Sequence, residues 1–142
     1  MLVYVDTSAL AKWYLNEAGS DAFASWIKQQ DDLHISSLTA TEMRCLLARR
    51  KRMGDISPEL EQQIFATFSE DTELGYLSRH PVSDHHVMAA ILLIDQLPQH
   101  ALRTLDAMHL AIARSIGVEA IATADNIMAA AATSLEMKVI HF

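Results

Sequence analysis

The chain has 142 residues, of which 51% are hydrophobic, and this composition is typical of one globular domain with a substantial core. The formal net charge of −7 means that the average surface does not attract phosphates, so binding of nucleic acid would need a local basic patch, metal ions or a second subunit. The single cysteine, Cys45, excludes an internal disulfide framework and every multi-cysteine zinc site. The longest apolar run, residues 87–94, is too short to cross a bilayer, so we expect a cytoplasmic protein with no membrane contact.

Short apolar strands alternate with longer helical patterns along the chain. Strands are predicted at residues 2–5, 33–36, 119–123 and 138–142, with a weaker one near 81–83. Helices are predicted at residues 8–14, 20–30, about 39–53, from 57 onward, 84–96, 104–116 and 125–135. This alternation predicts a single α/β domain over residues 1–142, with a mostly parallel sheet and helices on both faces. Residues 57–79 show no strand signal and are predicted to form a helical arm or hairpin.

Four acidic residues are predicted to meet at one edge of this sheet. Asp6 directly follows the first strand, and Asp125 follows the strand at residues 119–123. Glu42 lies in the first turns of the helix after the second strand, and Asp106 lies near the start of a helix that leads back to a strand. Ligands of parallel α/β sheets bind at the carboxyl ends of the strands, and the topology directs all four acids to that edge.

Each acid also has a purely structural interpretation. Glu42 follows Thr39 at the spacing of a capping box, and Asp125 has the position of an ordinary helix N-cap. Asp106 near a helix start is favoured by the helix dipole, and the hydroxyl residues after Asp6 are themselves candidate caps. Asp6 is the hardest acid to explain in this way, because it follows an apolar run without a turn.

The chemistry of such a cluster points to a hard cation. Carboxylates that are gathered together repel one another and would hold protons unless a cation neutralised them. A site made only of oxygen ligands suits Mg²⁺ or Mn²⁺, and these ions support phosphodiester hydrolysis by activating a water and shielding the phosphate. The sequence therefore predicts a metal-dependent hydrolase of nucleic acids that needs no nucleophilic serine or cysteine.

The acidic motifs resemble those of the PIN-domain ribonucleases, and most closely those of the VapC-type toxins of toxin–antitoxin pairs. The resemblance is carried by VDTSAL near the start, TATEM, LDAMHLAIA and ATAD, in the family's order and spacing over nearly the whole chain. It implies a three-layer α/β/α fold with a five-stranded parallel sheet in the order 3-2-1-4-5. It also implies Mg²⁺- or Mn²⁺-dependent cleavage of RNA, a homodimer, and a small VapB-like antitoxin through which operator DNA is bound.

The resemblance assigns roles to individual residues. Asp6, Glu42 and Asp106 match the three core acids of the family, and Asp125 matches the usual fourth, so all four are expected as catalytic metal ligands. Supporting hydroxyls match at two positions, Ser8 and Thr123. One departure is Glu136, which stands where such proteins often place a glycine before the last strand.

Three further residues are candidates for contact with substrate: Lys12, Arg44 and His109. Lys12 and Arg44 are equally consistent with surface ion pairs, and His109, one turn after Asp106, is more simply a packing residue. The basic run at residues 49–52 is interpreted first as a solvated helix end.

Other function classes fit the sequence less well. A phospho-acceptor domain requires paired acids after its first strand and a lysine after its last strand, and an aspartate-nucleophile phosphatase requires a second aspartate where Ser8 stands. A catalytically silent PIN-like module that only binds an antitoxin and its operator DNA remains the alternative, although the chain keeps all four acids.

Overall fold

A parallel sheet forms the middle layer of the protein. The computed structural model describes all residues, 1–142. Its strands are β1 (Val3–Val5), β2 (Leu33–Ser36), β3 (Ser78–His80), β4 (Ala120–Thr123) and β5 (Lys138–His141). They are all parallel and lie in the order β3-β2-β1-β4-β5. This confirms the predicted fold class and the strand order 3-2-1-4-5.

Seven helices connect the strands: α1 (Thr7–Tyr14), α2 (Ser20–Ile27), α3 (Ser37–Arg52), α4 (Pro58–Glu73), α5 (Asp84–Gln96), α6 (Thr104–Ile116) and α7 (Asn126–Ser134). Ser57 caps α4 by accepting a hydrogen bond from the Leu60 amide, with Pro58 at the first helical position. No helix combines the length and the apolar character that crossing a membrane requires.

Two hydrophobic cores lie on opposite faces of the sheet. Alternate side chains of β1 enter different cores, because successive residues of a strand point to opposite faces. Val3 and Val5 pack with Phe23 beneath α1 to α4, whereas Tyr4 packs with Leu110 beneath α5 to α7. The helices therefore cover both faces, as the α/β pattern predicts, and β1 is fixed from both sides immediately before Asp6.

The helical arm predicted at residues 57–79 contains one helix, α4, which packs against α3. Glu61 of α4 forms ion pairs with two residues of α3, at 3.1 Å from Arg44 and 3.2 Å from Lys51. The basic residues 49–52 form the last turn of α3, and Arg50 pairs with Glu17 at 2.7 Å. This agrees with the interpretation of the basic run as a helix end.

The edge strand β3 lies three residues before the predicted position, and it interrupts the region in which no strand was expected. It contains SRH, and Ser78 and Arg79 are exposed. An edge strand has only one neighbour, so its side chains need not be apolar and its sequence carries no buried-strand pattern. The other predicted strands and helices are present, with ends that differ by up to three residues.

Candidate active site

Three of the four predicted acids, Asp6, Asp106 and Asp125, belong to one hydrogen-bonded network at the carboxyl edge of the sheet, and Glu42 lies beside it. The hydroxyl of Thr123, at the end of β4, donates to Asp6 Oδ2 at 2.6 Å and accepts from the Asp125 amide at 3.0 Å. Arg103 joins Asp125 to Asp106, as described below. Glu42 accepts from the hydroxyl of Thr7, the residue after Asp6, and is connected to the network through the chain and not by a hydrogen bond. Residues that are up to 119 positions apart in sequence thus lie together, as the topology predicts.

Asp6 is buried, with 4% of its surface exposed, and all its donors are uncharged. The Ser8 hydroxyl donates to Oδ1 at 2.7 Å, and the Ala9 amide donates to the same oxygen at 3.1 Å. Burial raises the pKa of Asp6, and the hydrogen bonds from Thr123, Ser8 and the Ala9 amide oppose this effect only in part. The protein therefore does not fully compensate the ionised form of this carboxyl.

Asp6 is itself the N-cap of α1, so the expectation that Thr7 or Ser8 caps this helix was wrong. The capping bond to the Ala9 amide uses only Oδ1. The second oxygen, Oδ2, receives the Thr123 hydroxyl from the neighbouring strand. Capping of α1 by Asp6 thus leaves Oδ2 outside the capping bond.

Glu42 does not take part in a capping box. The box of α3 is formed by Ser36 and Thr39, since the helix begins two residues earlier than the sequence suggested. The carboxylate of Glu42 instead accepts a hydrogen bond from the Thr7 hydroxyl at 2.9 Å and contacts His109 Nε2. Burial alone would raise the pKa of Glu42, but the hydrogen bond and charge of His109, together with Thr7 and Arg103, hold it below its ordinary value.

His109 lies beneath the acids rather than on the surface, since only 3% of it is exposed. Its Nδ1 lies 2.7 Å from the Tyr4 hydroxyl, which also donates to Ser36 Oγ at 2.9 Å. Its other ring nitrogen, Nε2, faces Glu42. The residue is therefore packed in the core, and it also orients a candidate catalytic carboxylate from below.

Asp106 and Asp125 are joined by Arg103, which directly precedes α6. Arg103 donates to Asp106 Oδ2 through Nε at 3.0 Å and to Asp125 Oδ2 through Nη2 at 3.2 Å. Its backbone amide also donates to Asp106 Oδ2, at 3.1 Å. Asp125 is the N-cap of α7 and accepts the Met128 amide on Oδ1 at 2.8 Å, so the capping interpretation holds for this acid as well.

The two cationic substrate-binding candidates do not join this network. Lys12 donates to the Ala18 carbonyl and lies 3.4 Å from Glu17. Arg44 pairs with Glu61 and lies over the Phe65 ring, 5.2 Å from its centroid. Both cations are thus held by other partners, as the ion-pair interpretation of these residues requires.

Two members of the network were not singled out from the sequence: Arg103 and Thr7. Thr7 is adjacent to Asp6, so the DTS motif contained the signal for it. Arg103 stands three residues before Asp106, but its contact with Asp125 depends on how α6 and α7 pack. No local pattern in the sequence reports that arrangement.

The donor set agrees in chemistry with a hard divalent cation. The acids offer oxygen ligands only, which Mg²⁺ and Mn²⁺ prefer. No three His, Cys, Asp or Glu side chains converge closely enough to ligate a single ion in this arrangement. A guanidinium nevertheless bridges Asp106 and Asp125, so the protein itself places positive charge between these two acids.

Comparison with known proteins identifies the family and the fold of the chain. The family model of the PIN domain matches residues 3–133. The chain is 31% identical to Ribonuclease VapC35 of Mycobacterium tuberculosis over 143 aligned positions, which cover 98% of this chain and 96% of that protein. Similar folds include the M. tuberculosis toxin VapC20, which cleaves the sarcin-ricin loop (TM-score 0.72, 19% identity, 91% and 94% of the two chains covered). Another is VapBC2 of Rickettsia felis bound to a promoter DNA fragment (TM-score 0.67, 13% identity, 100% and 99% covered).

The structural likenesses are below 25% identity, so they support the fold alone. The family model spans most of the chain, and the curated relative is aligned over nearly the full length of both proteins. With the acidic motifs in the predicted order at the carboxyl edge of a 3-2-1-4-5 sheet, the chain belongs to the PIN-domain family and, within it, to the VapC type.

Proposed function

We propose that this protein is a Mg²⁺-dependent endoribonuclease that acts as the toxin of a toxin–antitoxin pair, with Mn²⁺ as a substitute ion. The observation that carries the proposal is the position of Asp6, Glu42, Asp106 and Asp125 at the carboxyl edge of the sheet, where hydrogen bonds link Asp6, Asp106 and Asp125 and the Thr7 hydroxyl holds Glu42. Burial raises the pKa of Asp6, so a cation bound there would stabilise its ionised form.

The four carboxylates are the oxygen ligands from which the ion would be held, and its binding would require their side chains to move closer together than they lie in this arrangement. When bound, a divalent cation lowers the pKa of a water and shields the charge of the scissile phosphate. Thr123 and Ser8 hold the carboxylate of Asp6, and Thr7 and His109 hold that of Glu42. The low pKa of Glu42 keeps it ionised near neutral pH, so it contributes negative charge to the site without having to lose a proton.

The choice of RNA as substrate rests on the relatives. The curated relative is named a ribonuclease, and one structural neighbour is described as a toxin that cleaves the sarcin-ricin loop. The net charge of −7 makes bound cations the natural source of attraction for an RNA backbone.

The decisive experiment is RNA cleavage by the purified protein with and without a chelator. We expect cleavage that requires Mg²⁺ or Mn²⁺ and that is abolished by Asp106→Asn, which keeps the shape of the side chain but removes its charge. Asp95→Asn, an exposed position at the end of α5, is the matched control and should leave cleavage unchanged. Cleavage that survives either the chelator or the Asp106 substitution would overturn the proposed mechanism.

The partners are also part of the proposal. Several structural neighbours are toxin–antitoxin complexes bound to DNA, which supports a cognate antitoxin through which operator DNA is contacted. For the homodimer we assign the exposed apolar face of α5, formed by Val87, Met88, Ile91 and Leu92, which are 41–61% exposed. Sedimentation of the chain should show a dimer that Ile91→Glu converts to a monomer, and a monomer in the unmodified chain would refute this assignment.

A further inference from the structure

Arg103 is the residue whose position the proposed reaction does not explain. It occupies the N-cap position of α6, where short polar side chains are preferred over arginine. Its side chain makes hydrogen bonds only to Asp106 and Asp125. It meets Asp106 in a fork, with Nε 3.0 Å from Oδ2 and Nη2 3.4 Å from Oδ1, and the same Nη2 reaches Asp125.

The exposure of the three side chains differs strongly. The side chain of Arg103 is 70% exposed, whereas those of Asp106 and Asp125 are 9% and 26% exposed. Asp106 and Asp125 are therefore held largely within the protein, and the guanidinium of Arg103 covers them from the solvent side. An ion pair whose cation is this exposed is weak and can be exchanged, because water and salt screen it and the long side chain gains freedom on release.

The oxygens that Arg103 contacts are those of two of the four acids proposed to hold the divalent ion. A cation between these acids lowers their mutual repulsion, and in this structure the guanidinium supplies that charge. A divalent ion at the same oxygens would displace the guanidinium, because the two cations repel each other and compete for the same lone pairs.

On this basis, and resting on the proposed function, we propose that Arg103 is a built-in counter-cation that competes with the divalent metal ion for Asp106 and Asp125. Without metal, the guanidinium holds the two carboxylates in place through its hydrogen bonds. When metal binds, the guanidinium leaves the bridge and turns toward solvent. The competition weakens metal binding and so sets the concentration of divalent ion at which the site becomes loaded.

The test is direct measurement of Mn²⁺ binding, by calorimetry or by electron paramagnetic resonance, with no substrate present. Arg103→Gln removes the competing charge but keeps the backbone amide that bonds Asp106. We expect this variant to bind Mn²⁺ on the order of threefold to tenfold more tightly than the unmodified protein, as loss of one exposed charge-assisted pair would allow. Unchanged or weaker binding would overturn the inference and would instead make Arg103 a positioning residue for Asp106.

Two further variants separate a local from a general charge effect. Arg114→Gln removes the same charge from an exposed position at the other end of α6 and should leave Mn²⁺ affinity unchanged. An equal gain in affinity there would mean that net charge, not competition at the bridge, explains the result. Arg103→Lys keeps the charge but cannot bridge through a fork, so it should bind Mn²⁺ with intermediate affinity, and it decides the question if the glutamine variant does not fold.

The outcomes also separate this inference from the proposed function. If neither the unmodified protein nor Arg103→Gln binds Mn²⁺, the metal site itself is refuted. If both bind Mn²⁺ with the same affinity, the metal site stands and only the role of Arg103 is refuted. Thermal unfolding in chelator, followed by circular dichroism, confirms that each variant is folded before its affinity is compared.

Discussion

Asp6 and Asp106 stand at the same edge of the sheet, and both are buried, but their carboxylates have different kinds of partner. Asp6 accepts hydrogen bonds from two hydroxyls and one amide, all uncharged. Asp106 accepts them from a guanidinium and an amide. Neutral donors orient a carboxylate without cancelling its charge, and accordingly burial raises the pKa of Asp6. The comparison shows that no cation is hydrogen-bonded to Asp6, whereas a guanidinium is bonded to Asp106, and the charge of His109 is the weakest of the influences that lower the pKa of Asp6.

The strongest test of this comparison sets Asp6→Asn against Asp125→Asn. We expect Asp6→Asn to lower the rate of RNA cleavage on the order of 10³-fold, because it removes the charge that has no built-in cation. Asp125 is more exposed than Asp6, so water and salt screen its charge better, and Asp125→Asn should lower the rate only about tenfold. Single-turnover cleavage of one RNA at saturating Mg²⁺ measures the rates of both variants. Equal losses would mean that Asp6 and Asp125 contribute equally to cleavage.

The second prediction concerns the Thr123 hydroxyl, which is hydrogen-bonded both to Asp6 and to the Asp125 amide. Thr123→Val keeps the shape of the side chain but removes the donor to Asp6 and the acceptor of the Asp125 amide. Loss of such an orienting contact should lower cleavage about 10- to 100-fold while the fold is kept. The matched control is Thr133→Val on α7, whose hydroxyl bonds only the Ala129 carbonyl. If both variants cleave as the unmodified chain does, orientation of Asp6 by Thr123 is unimportant.

The sequence predicted the acids and the hydroxyls of Ser8 and Thr123 that bond Asp6, but not the partners Thr7 and Arg103, and the reason is physical. An acid after an apolar strand is visible locally, because strand and helix periods locate it at the carboxyl edge. Which donor each acid meets depends on distances between elements far apart in the chain, such as Arg103 and Asp125. The polar edge strand β3 was misplaced for a related reason, since a strand that buries no side-chain face leaves no pattern to read.

A third prediction uses the sign of the pKa shift of Asp6. Its pKa in the folded protein is raised above that of the unfolded chain, so its stabilising contribution is complete below about pH 4 and is lost as the pH rises through the folded pKa. In chelator, Asp6→Asn should therefore become more stable relative to the unmodified protein as the pH increases from 4 toward 7. Melting temperatures across this range measure the difference.

Glu42 is expected to show the opposite pH dependence of stability in the same experiment. Its pKa is lowered in the folded protein, so its contribution is present above the unfolded pKa and is lost as the pH falls through the folded value. Glu42→Gln should therefore be less stable than the unmodified protein near neutral pH, and this difference should disappear in acid. Asp6→Asn, in contrast, should gain stability relative to the unmodified protein as the pH rises toward neutral. A difference between Asp6→Asn and the unmodified protein that does not change with pH would contradict the idea that Asp6 carries uncompensated charge.

The smallest expected effect concerns the opposite edge of the sheet, where the strands begin. It tests whether the carboxyl edge, which carries the acids, acts independently of that edge. Glu136 follows α7 with a φ of 61°, and the Glu136 and Met137 amides donate to the carbonyls of Thr133 and Ala132. This is the left-handed helix-ending position that favours glycine, so Glu136→Gly should stabilise the protein by about 1 kcal/mol after the higher entropy of an unfolded glycine is subtracted. Urea unfolding measures the gain, and Glu136→Ala, which keeps the Cβ, should show none. Because this turn precedes β5 and is remote from the carboxyl edge, RNA cleavage should be unchanged in both variants, and a change in cleavage would mean that the two edges are coupled through the sheet.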